Sequence, residues 1–237
     1  MIKIERIEVS GLANALYGMR LPKLSHNKSD TDCFIYDDEC ERCDIVSLNN
    51  VTSDMKVIKV MIGDNDKKLG KQLILAGSDH GKWLRQVQVS MLITAPMTFF
   101  WDHDTYKVAT VKNSSSRMHK ITSRNLNEND FSWDDEDGNL ILTPFREAQL
   151  QHLNDLISEY NSENTSDELK KYLFRVIIQD LPDSYNFTAM WTGSAQTCRN
   201  QYFARKNHKQ KELRDLCTVL GNIPVIGEFI TCEKECD

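Results

Sequence analysis

The sequence predicts a mixed α/β or α+β protein in which a central β-sheet is flanked by helices. Segments with alternating apolar residues, which favour strands, are concentrated in the N-terminal half, and segments with helical periodicity dominate the C-terminal half. The 237 residues are 40% hydrophobic and 27% charged, which is the balance of a globular chain with one sizeable core. We therefore expect a single domain over residues 1–237.

Strands are predicted at three places in the N-terminal half. The opening "IKIERIEV" alternates except for a slip at Glu5 and Arg6. A short buried strand, "KVIKVMI", is ended by Gly63, and "RQVQVSMLITAP" alternates apolar residues until it reaches its proline. The polar stretch from 22 to 55 has no apolar period, so we predict a flap or insertion there.

Helices are predicted from caps, apolar stripes and stop signals. The segment "DNDKKLGKQLILAG" offers an Asp cap, three apolar residues on one face and a final glycine, and the aromatic-rich "MTFFWDHDTYK" predicts a helix packed on the sheet. A capping box is predicted at Thr165 and Glu168. The remaining predicted helices are "FREAQLQHLNDLISEY", "DELKKYLFRVII", "SAQTCRNQYFARKNH" and "QKELRDLCTVL".

Charge and hydropathy exclude several classes of protein. A net charge of −6 argues against affinity for duplex nucleic acid, because that binding requires many phosphate neutralisations. No apolar run approaches the length that spans a bilayer, and the first residues lack an apolar signal core. We therefore expect a cytoplasmic protein without a membrane partner, whose seven cysteines are reduced thiols.

One group of residues near the N-terminus has the chemistry of a zinc site. Cys33, Cys40 and Cys43 follow His26, and a Cys-x-x-Cys pair with a third cysteine and a histidine can ligate zinc tetrahedrally. The spacing fits loosely, and the acidic residues around the cysteines are typical of a solvated loop. We predict no metal here, and the zinc interpretation remains the alternative.

The sequence lacks the usual backbone cradles for phosphate. No Gly-rich phosphate loop and no G-x-G-x-x-G segment occurs, so side chains must hold any nucleotide. Ser114, Ser115, Ser116 and Arg117 gather hydroxyls beside a guanidinium, which pairs well with phosphate oxygens. A flexible serine turn is the alternative interpretation.

A second basic cluster lies in the segment "RNQYFARKNHK". It contains Asn200 and Arg205, which we expect near each other on a helix, and a solvated basic face is the alternative. His80, just before a predicted strand, is a third candidate. The other basic residues of the cluster are Arg199, Lys206, His208 and Lys209.

The order and spacing of these groups resemble the flavin-dependent thymidylate synthases. That family has a Gly-His pair, a strand ending in Ala-Pro, a helix leading into Arg-His-Arg and, after seven further residues, a Ser followed by Gly-Arg. The matching positions here are His80, Ala95-Pro96, Thr105-Tyr106-Lys107, Ser115 and Ser116-Arg117 in the first block, and Leu181-Pro182, Trp191-Thr192, Asn200, Arg205 and His208 in the second.

The chain departs from the family pattern at several of its signature positions. Thr-Tyr-Lys replaces Arg-His-Arg, so Lys107 alone keeps a cation in that triplet. Asn113 stands where the family has an acidic residue, and Ser194 where it has a flavin-contacting Asn. The sequence therefore resembles a divergent relative. In the segments "WLRQVQVSMLITAP" and "DTYKVATV" it resembles the phage and prophage type more than the main branch of the family.

The resemblance implies a reaction and a set of ligands. Reduced FAD supplies a hydride, methylene-tetrahydrofolate supplies the one-carbon unit and NADPH is a further co-substrate, so that dUMP becomes dTMP. It also implies a homotetramer with shared active sites. By position, Ser115, Arg117 and Arg205 are the expected catalytic residues that hold dUMP together with Ser114 and Ser116, and the flavin is expected at His80, Tyr106, Lys107, Asn113, Ser194, Asn200 and His208.

The departures leave a second function open. A non-catalytic protein that binds pyrimidine nucleotides and has lost flavin chemistry would keep the phosphate-binding residues while its flavin site changes. A zinc-bearing interaction module is a third class, but it explains little of the chain beyond the N-terminal cysteines.

Overall fold

The structure is a computed structural model in which an antiparallel sheet is flanked by helices, so the predicted fold class is confirmed. It describes residues 2–35, 44–47 and 57–233; the side chains of 33–35, 44–47, 57–59 and 117 lie outside the described part.

The described strands form two antiparallel sheets. The larger has the order β1-β5-β7-β6 and the smaller the order β3-β2-β4. The strands are β1 (Lys3–Ser10), β2 (Asp32–Ile35), β3 (Asp44–Ser47), β4 (Val57–Met61), β5 (Gln88–Pro96), β6 (Val111–Ser114) and β7 (Asn186–Ser194).

The helices of the described residues mostly follow the predicted segments. Pro144 at the first position of its helix and Thr143 as the cap explain why the longest helix begins where it does. The helices are α1 (Leu12–Arg20), α2 (Asp64–Leu75), α3 (Met97–His103), α4 (Arg117–Lys120), α5 (Pro144–Tyr160), α6 (Asp167–Asp180), α7 (Ala195–Arg205), α8 (Lys211–Asn222) and α9 (Gly227–Ile230).

Strands β5 and β7 form the centre of the larger sheet. They pair along their whole lengths, from Gln88 opposite Ser194 to Pro96 opposite Asn186. Alternate residues of both strands point to one face, where they pack under the helices and are nearly inaccessible to solvent. This buried face is lined by Val89, Met91, Ile93, Ala95, Ala189 and Trp191.

The opposite face of the larger sheet carries hydroxyl groups. Ser90 bonds Thr192 across the strands, and Thr94 bonds Thr188, each at 2.8 Å. Met190 lies between the two pairs and is 37% exposed. One face of this sheet therefore supports the core, while the other is polar and partly open.

The apolar residues divide into two clusters. The first lies between the larger sheet and helices α1, α3, α7, α8 and α9. The second lies under the α5–α6 hairpin and includes Phe131, Trp133, Leu153 and Ile177. Phe131 and Trp133 stack with their ring centroids 4.2 Å apart, so the acidic loop that contains them contributes two aromatic rings to this core.

A buried ion pair ties α1 to α2. The Arg20 guanidinium pairs with Asp66, both side chains being almost completely buried, and the Thr31 hydroxyl donates to the same carboxylate at 2.6 Å. Asp30 accepts from the backbone N–H groups of Asn65 and Asp66, and so caps the start of α2. The predicted cap, an Asp at the helix start, is wrong because Asp30 supplies it from a distant segment.

Two strands of the larger sheet are missing from the sequence-based assignment. Strand β7 alternates buried and partly exposed residues along part of its length, but it has a glycine and two threonines, which weaken its apolar signal. Strand β6 is short and its four residues are all exposed, so it has no apolar period. The capping prediction at Thr165 is also wrong, because Ser166 accepts from Leu169 N–H while the Thr165 hydroxyl donates to the Glu159 carbonyl.

Two further predictions concern the segment between 22 and 61. Its described part contains β2 and β3, which join β4 in the smaller sheet. The segment therefore has regular structure. The predicted burial of β4 is wrong at Met61, which is 54% exposed. The zinc interpretation lies outside the described residues, because Cys40, Cys43 and the side chain of Cys33 are not among them.

None of the helices in the described ranges combines the length and the hydropathy needed to cross a bilayer.

Candidate functional site

The helix α3 packs on the larger sheet and leads to Tyr106. Its start is set by Pro96, and Phe99 and Phe100 bury its inner face against β5 and β7. His103 ends the helix and lies edge-on to Trp191, with the ring centroids 5.4 Å apart. Tyr106 follows one turn later, where its backbone N–H bonds the His103 carbonyl.

The helix α7 ends beside this tyrosine. Arg205 is the last residue of α7, and its guanidinium lies 5.8 Å from the centroid of the Tyr106 ring. One of its terminal nitrogens, Nη2, forms an ion pair with Oδ1 of Asp102 on α3 at 3.3 Å. The structure thus joins two of the predicted site residues, Tyr106 and Arg205, which are far apart in sequence.

The serine segment continues the edge of the larger sheet. Ser114 pairs with Ala189 at the end of β6, and Ser115 N–H donates to the Thr188 carbonyl at 2.8 Å. The Ser115 hydroxyl accepts from the Thr188 N–H at 3.3 Å. The flexible-turn alternative is therefore wrong for Ser114 and Ser115, which are held by β7.

The residues after Ser115 begin the short helix α4. Ser116 is partly exposed and immediately precedes it, and Arg117 is its first residue. The side chain of Arg117 lies outside the described part, so its predicted role as an anion clamp stays a prediction.

An ion pair fixes β6 to the end of α3. The Lys112 ammonium bonds the Asp104 carboxylate and lies 4.8 Å from the centroid of the Phe100 ring. Burial opposes ionisation of Asp104, but hydrogen bonds from His103 and Lys112 outweigh it and lower the pKa of Asp104 below its ordinary value of 3.8. A cavity of about 80 Å³ lies beside this contact, lined by Met97, Phe100, Lys112, Ser114, Phe187 and Ala189.

Two predicted flavin contacts already have partners within α7. The Ser194 hydroxyl accepts from the Thr197 N–H at 3.2 Å and caps the helix. The Asn200 side-chain oxygen accepts from Gln196 at 2.9 Å, which leaves the amide N–H groups of Asn200 to donate.

The other predicted flavin contacts are spread over four places. His80 is exposed and precedes a short turn that packs on α7, and Lys107 is exposed after Tyr106. Asn113 lies opposite Met190 and therefore shares the open face of the sheet. His208 follows α7, and its Nδ1 accepts from the Gln210 N–H at 3.2 Å.

Two further residues of the second basic cluster, Arg199 and Lys206, have structural partners. Arg199 donates to the carbonyl of Ile230 at 2.9 Å and so caps α9. Lys206 pairs with Glu233 at 3.1 Å, and Lys209 is exposed. The solvated-face alternative fits Lys209, whereas Arg205 is partly buried against Tyr106.

The described buried cysteines are poor nucleophiles. Burial raises the pKa of Cys198 to about 12, and it raises that of Cys217 to about 11. Both thiols stay protonated at neutral pH, because the reactive form of cysteine is the thiolate. No step at this site can depend on either of them as a nucleophile.

The predicted residues do not all meet within one chain. Ser115 is bonded to Thr188 near one end of β7, and Ser194 lies at the other end, roughly 20 Å away at the rise of an extended strand. A ligand that touches both groups would have to be large or would have to use residues of a second copy.

Sequence reasoning missed Asp102 as a member of this site. It lies in the aromatic-rich segment that predicts a packed helix, and nothing in that local pattern shows that a residue of α7 reaches it. A lone acidic residue within an otherwise apolar helix was the available signal.

Comparison with known proteins identifies the fold. No protein-family model matches the sequence, and no curated protein matches it. A flavin-dependent thymidylate synthase, ThyX from Helicobacter pylori, solved with FAD and dUMP, has a TM-score of 0.61 and 15% identity, over 97% of this chain and 100% of that chain. A second structure of the same enzyme has a TM-score of 0.60 and 15% identity, over 97% of each chain.

A third similar structure is that of an enzyme named as a methylase. It is PolB, a UMP/dUMP methylase from Streptomyces cacaoi bound to 5-Br dUMP, with a TM-score of 0.54 and 15% identity over 98% of this chain and 95% of that chain. The chain therefore has the fold of the flavin-dependent thymidylate synthases. The resemblance drawn from the sequence is confirmed at the level of the fold.

Proposed function

We propose that the protein is a flavin-dependent methyltransferase that makes dTMP, or a related 5-substituted pyrimidine nucleotide, from dUMP. Methylene-tetrahydrofolate provides the one-carbon unit and NADPH is the reductant. The observation that carries the proposal is the contact between Tyr106 and Arg205, because two segments matched to one family by sequence meet in a chain that has the fold of that family.

The nucleotide is assigned to the serine segment and the end of α7. Ser115 and Arg117 hold the phosphate together with Ser114 and Ser116, since hydroxyls and a guanidinium suit phosphate oxygens. Arg205 contributes from α7, where Tyr106 packs against its guanidinium. Removing one charged phosphate contact is expected to cost about 1.5–3 kcal/mol of binding free energy.

The flavin is assigned to Tyr106 and its neighbours. The half-buried Tyr106 ring can stack on a planar ligand, and the exposed ammonium of Lys107 suits the anionic part of FAD. His80, Asn113, Asn200 and His208 complete the proposed set, while Ser194 fits less well because its hydroxyl caps α7. FAD in its reduced form supplies the hydride when bound, and the protein supplies orientation and electrostatics.

We also infer a homotetramer with shared sites. The separation of Ser115 from Ser194 along β7 supports this, because one chain does not gather all proposed contacts. Light scattering should give about four times the 27.4 kDa mass of the chain. A monomer that binds both ligands would contradict the assembly.

The proposal is tested by following the product. Purified protein incubated with dUMP, methylene-tetrahydrofolate, FAD and NADPH is expected to form dTMP, detected by mass spectrometry. Arg117→Ala should weaken dUMP binding by about tenfold or more with the fold intact. Arg85→Ala, which changes an exposed arginine beside β5, should bind as the unchanged protein does. Unchanged affinity of Arg117→Ala for dUMP would refute its assignment.

A non-catalytic nucleotide-binding protein is the second candidate. The observation that favours it is the Ser194 hydroxyl, which is engaged in capping α7 at a position where the family has a flavin-contacting Asn. This candidate predicts dUMP binding without FAD uptake and without dTMP formation. Product formation would exclude it.

A further inference from the structure

Asp102 places a carboxylate beside the guanidinium assigned to the nucleotide. Its Oδ1 lies 3.3 Å from Nη2 of Arg205, and its side chain is 39% exposed, against 20% for that of Arg205. Among the described residues, no group bonds the second carboxylate oxygen of Asp102. The pair is thus half-open to solvent and retains an unused acceptor.

The guanidinium of Arg205 is held from more than one side. Tyr106 lies against it, and its Nε is buried and has no hydrogen-bond partner in the described part of the chain. Because Nη2 already pairs with Asp102, a ligand would meet the remaining N–H groups of the guanidinium. Asp102 then fixes which way those groups point.

The charge of this pair argues against phosphate as its ligand. The carboxylate of Asp102 cancels the positive charge of Arg205, and a carboxylate close to a phosphate would repel it. A neutral pair instead matches the uncharged edge of a ligand that offers an N–H next to a carbonyl oxygen. The carboxylate can only accept and so bonds the N–H, while the guanidinium can only donate and so bonds the carbonyl. The N3–H of a uracil ring lies between two such carbonyls.

We propose that Asp102 is a specificity-determining residue that accepts the N3–H of the pyrimidine ring while Arg205 donates to a neighbouring carbonyl oxygen. The inference deepens and rests on the proposed function, since it requires that a uracil nucleotide binds at this site. It leaves the phosphate to Ser115 and Arg117.

The test combines a changed residue with a changed ligand. Calorimetry measures the affinity of the full-length protein and of Asp102→Ala for dUMP and for its N3-methyl derivative. Methylation is expected to weaken binding to the unchanged protein by about tenfold or more, the value of a hydrogen bond to a charged group. In Asp102→Ala the two ligands should bind within about twofold of each other, because the acceptor is gone and the methyl group has room.

Two further variants keep the test decisive. Asp102→Ser replaces Asp102→Ala in the test if the alanine variant does not fold. Because the serine hydroxyl is too short to reach where the carboxylate lies, the two ligands should again bind within about twofold of each other. Asp183→Ala removes an exposed carboxylate beside the start of α3 and should keep the full effect of methylation.

The outcomes separate this inference from the proposed function. Binding of dUMP that is insensitive to N3 methylation, or a methylation effect of equal size in Asp102→Ala, would overturn the role of Asp102 and leave the proposed function standing. No binding of dUMP to the unchanged protein in the presence of FAD would overturn both.

Discussion

The hydroxyl of Ser115 bonds the backbone of β7 and is also assigned to the phosphate of the nucleotide. It accepts from the backbone of Thr188 at 3.3 Å, a distance at the weak end of the range for a hydrogen bond. Ser115 is exposed, so its hydroxyl can turn to a phosphate oxygen without leaving a buried group unpaired. The serine is therefore held near β7 but is not committed to it.

Ser115→Ala is expected to weaken dUMP binding with little effect on the fold. The loss should be about 0.5–1.5 kcal/mol, the usual net value of one hydrogen bond. Calorimetry measures the affinity, and a thermal melt checks the fold. Ser123→Ala is the matched control, because Ser123 is an exposed serine that bonds the carbonyl of Lys120 outside the proposed site. Equal losses in both variants would contradict the role of Ser115.

At the scale of elements, the contact between Lys112 and Asp104 ties β6 to α3. Strand β6 lies at the edge of the sheet, consists of exposed residues, and leads directly into the serine segment. The pKa of Asp104 is lowered in the folded state, so its contribution to stability is fully present above pH 3.8, its ordinary value, and is lost as the pH falls through the folded pKa.

Asp104→Asn is therefore expected to flatten the acid side of the stability curve. Between about pH 6 and about pH 3 the melting temperature of the variant should fall less steeply than that of the unchanged protein, because the variant has no carboxylate to protonate at this position. Melting curves across this range measure the difference. Parallel curves for the two proteins would show that the contact contributes no pH-dependent stability.

The ion pair between Arg20 and Asp66 anchors α1 to α2, away from the proposed site. Gly63 allows Asp30 and its backbone to lie against the start of α2, since a Cβ at position 63 would lie 2.1 Å from the Asp30 side chain. Asp66 also accepts from Thr31, so one carboxylate joins three separate segments. Removing it would leave the Arg20 charge buried and unpaired.

Asp66→Ala is expected to lower the free energy of unfolding by about 3–5 kcal/mol, the usual cost of breaking a buried ion pair. Urea denaturation measures this change. Asp64→Ala, which changes an exposed carboxylate in the same helix turn, is the control and should cost less than about 1 kcal/mol. If Asp66→Ala unfolds at the same urea concentration as the control, the ion pair does not anchor these elements.

For the whole molecule, the sequence predicted the fold class because most elements carry strong local signals. Strand β5 alternates cleanly, and α5 has both a cap and an apolar stripe. Strands β6 and β7 were missed because β6 has no apolar period and because the threonines and the glycine of β7 weaken its apolar alternation. Local patterns cannot show which strand pairs with which.

The candidate site was predictable to a similar extent. The family resemblance pointed to Tyr106 and Arg205, and the structure brings them together. It did not point to Asp102, because that contact depends on how α3 packs beside α7. The position of the Arg117 side chain lies outside the described part, so the convergence of the two arginines remains a prediction.

The central claim is that this fold holds a pyrimidine nucleotide against a flavin. A spectral titration of the purified protein, first with FAD and then with dUMP, tests it most directly. We expect the visible absorption bands of the flavin to shift when FAD binds and to shift again when dUMP is added. A protein that takes up no FAD, or whose flavin spectrum is unchanged by dUMP while both ligands are saturating, would contradict the claim.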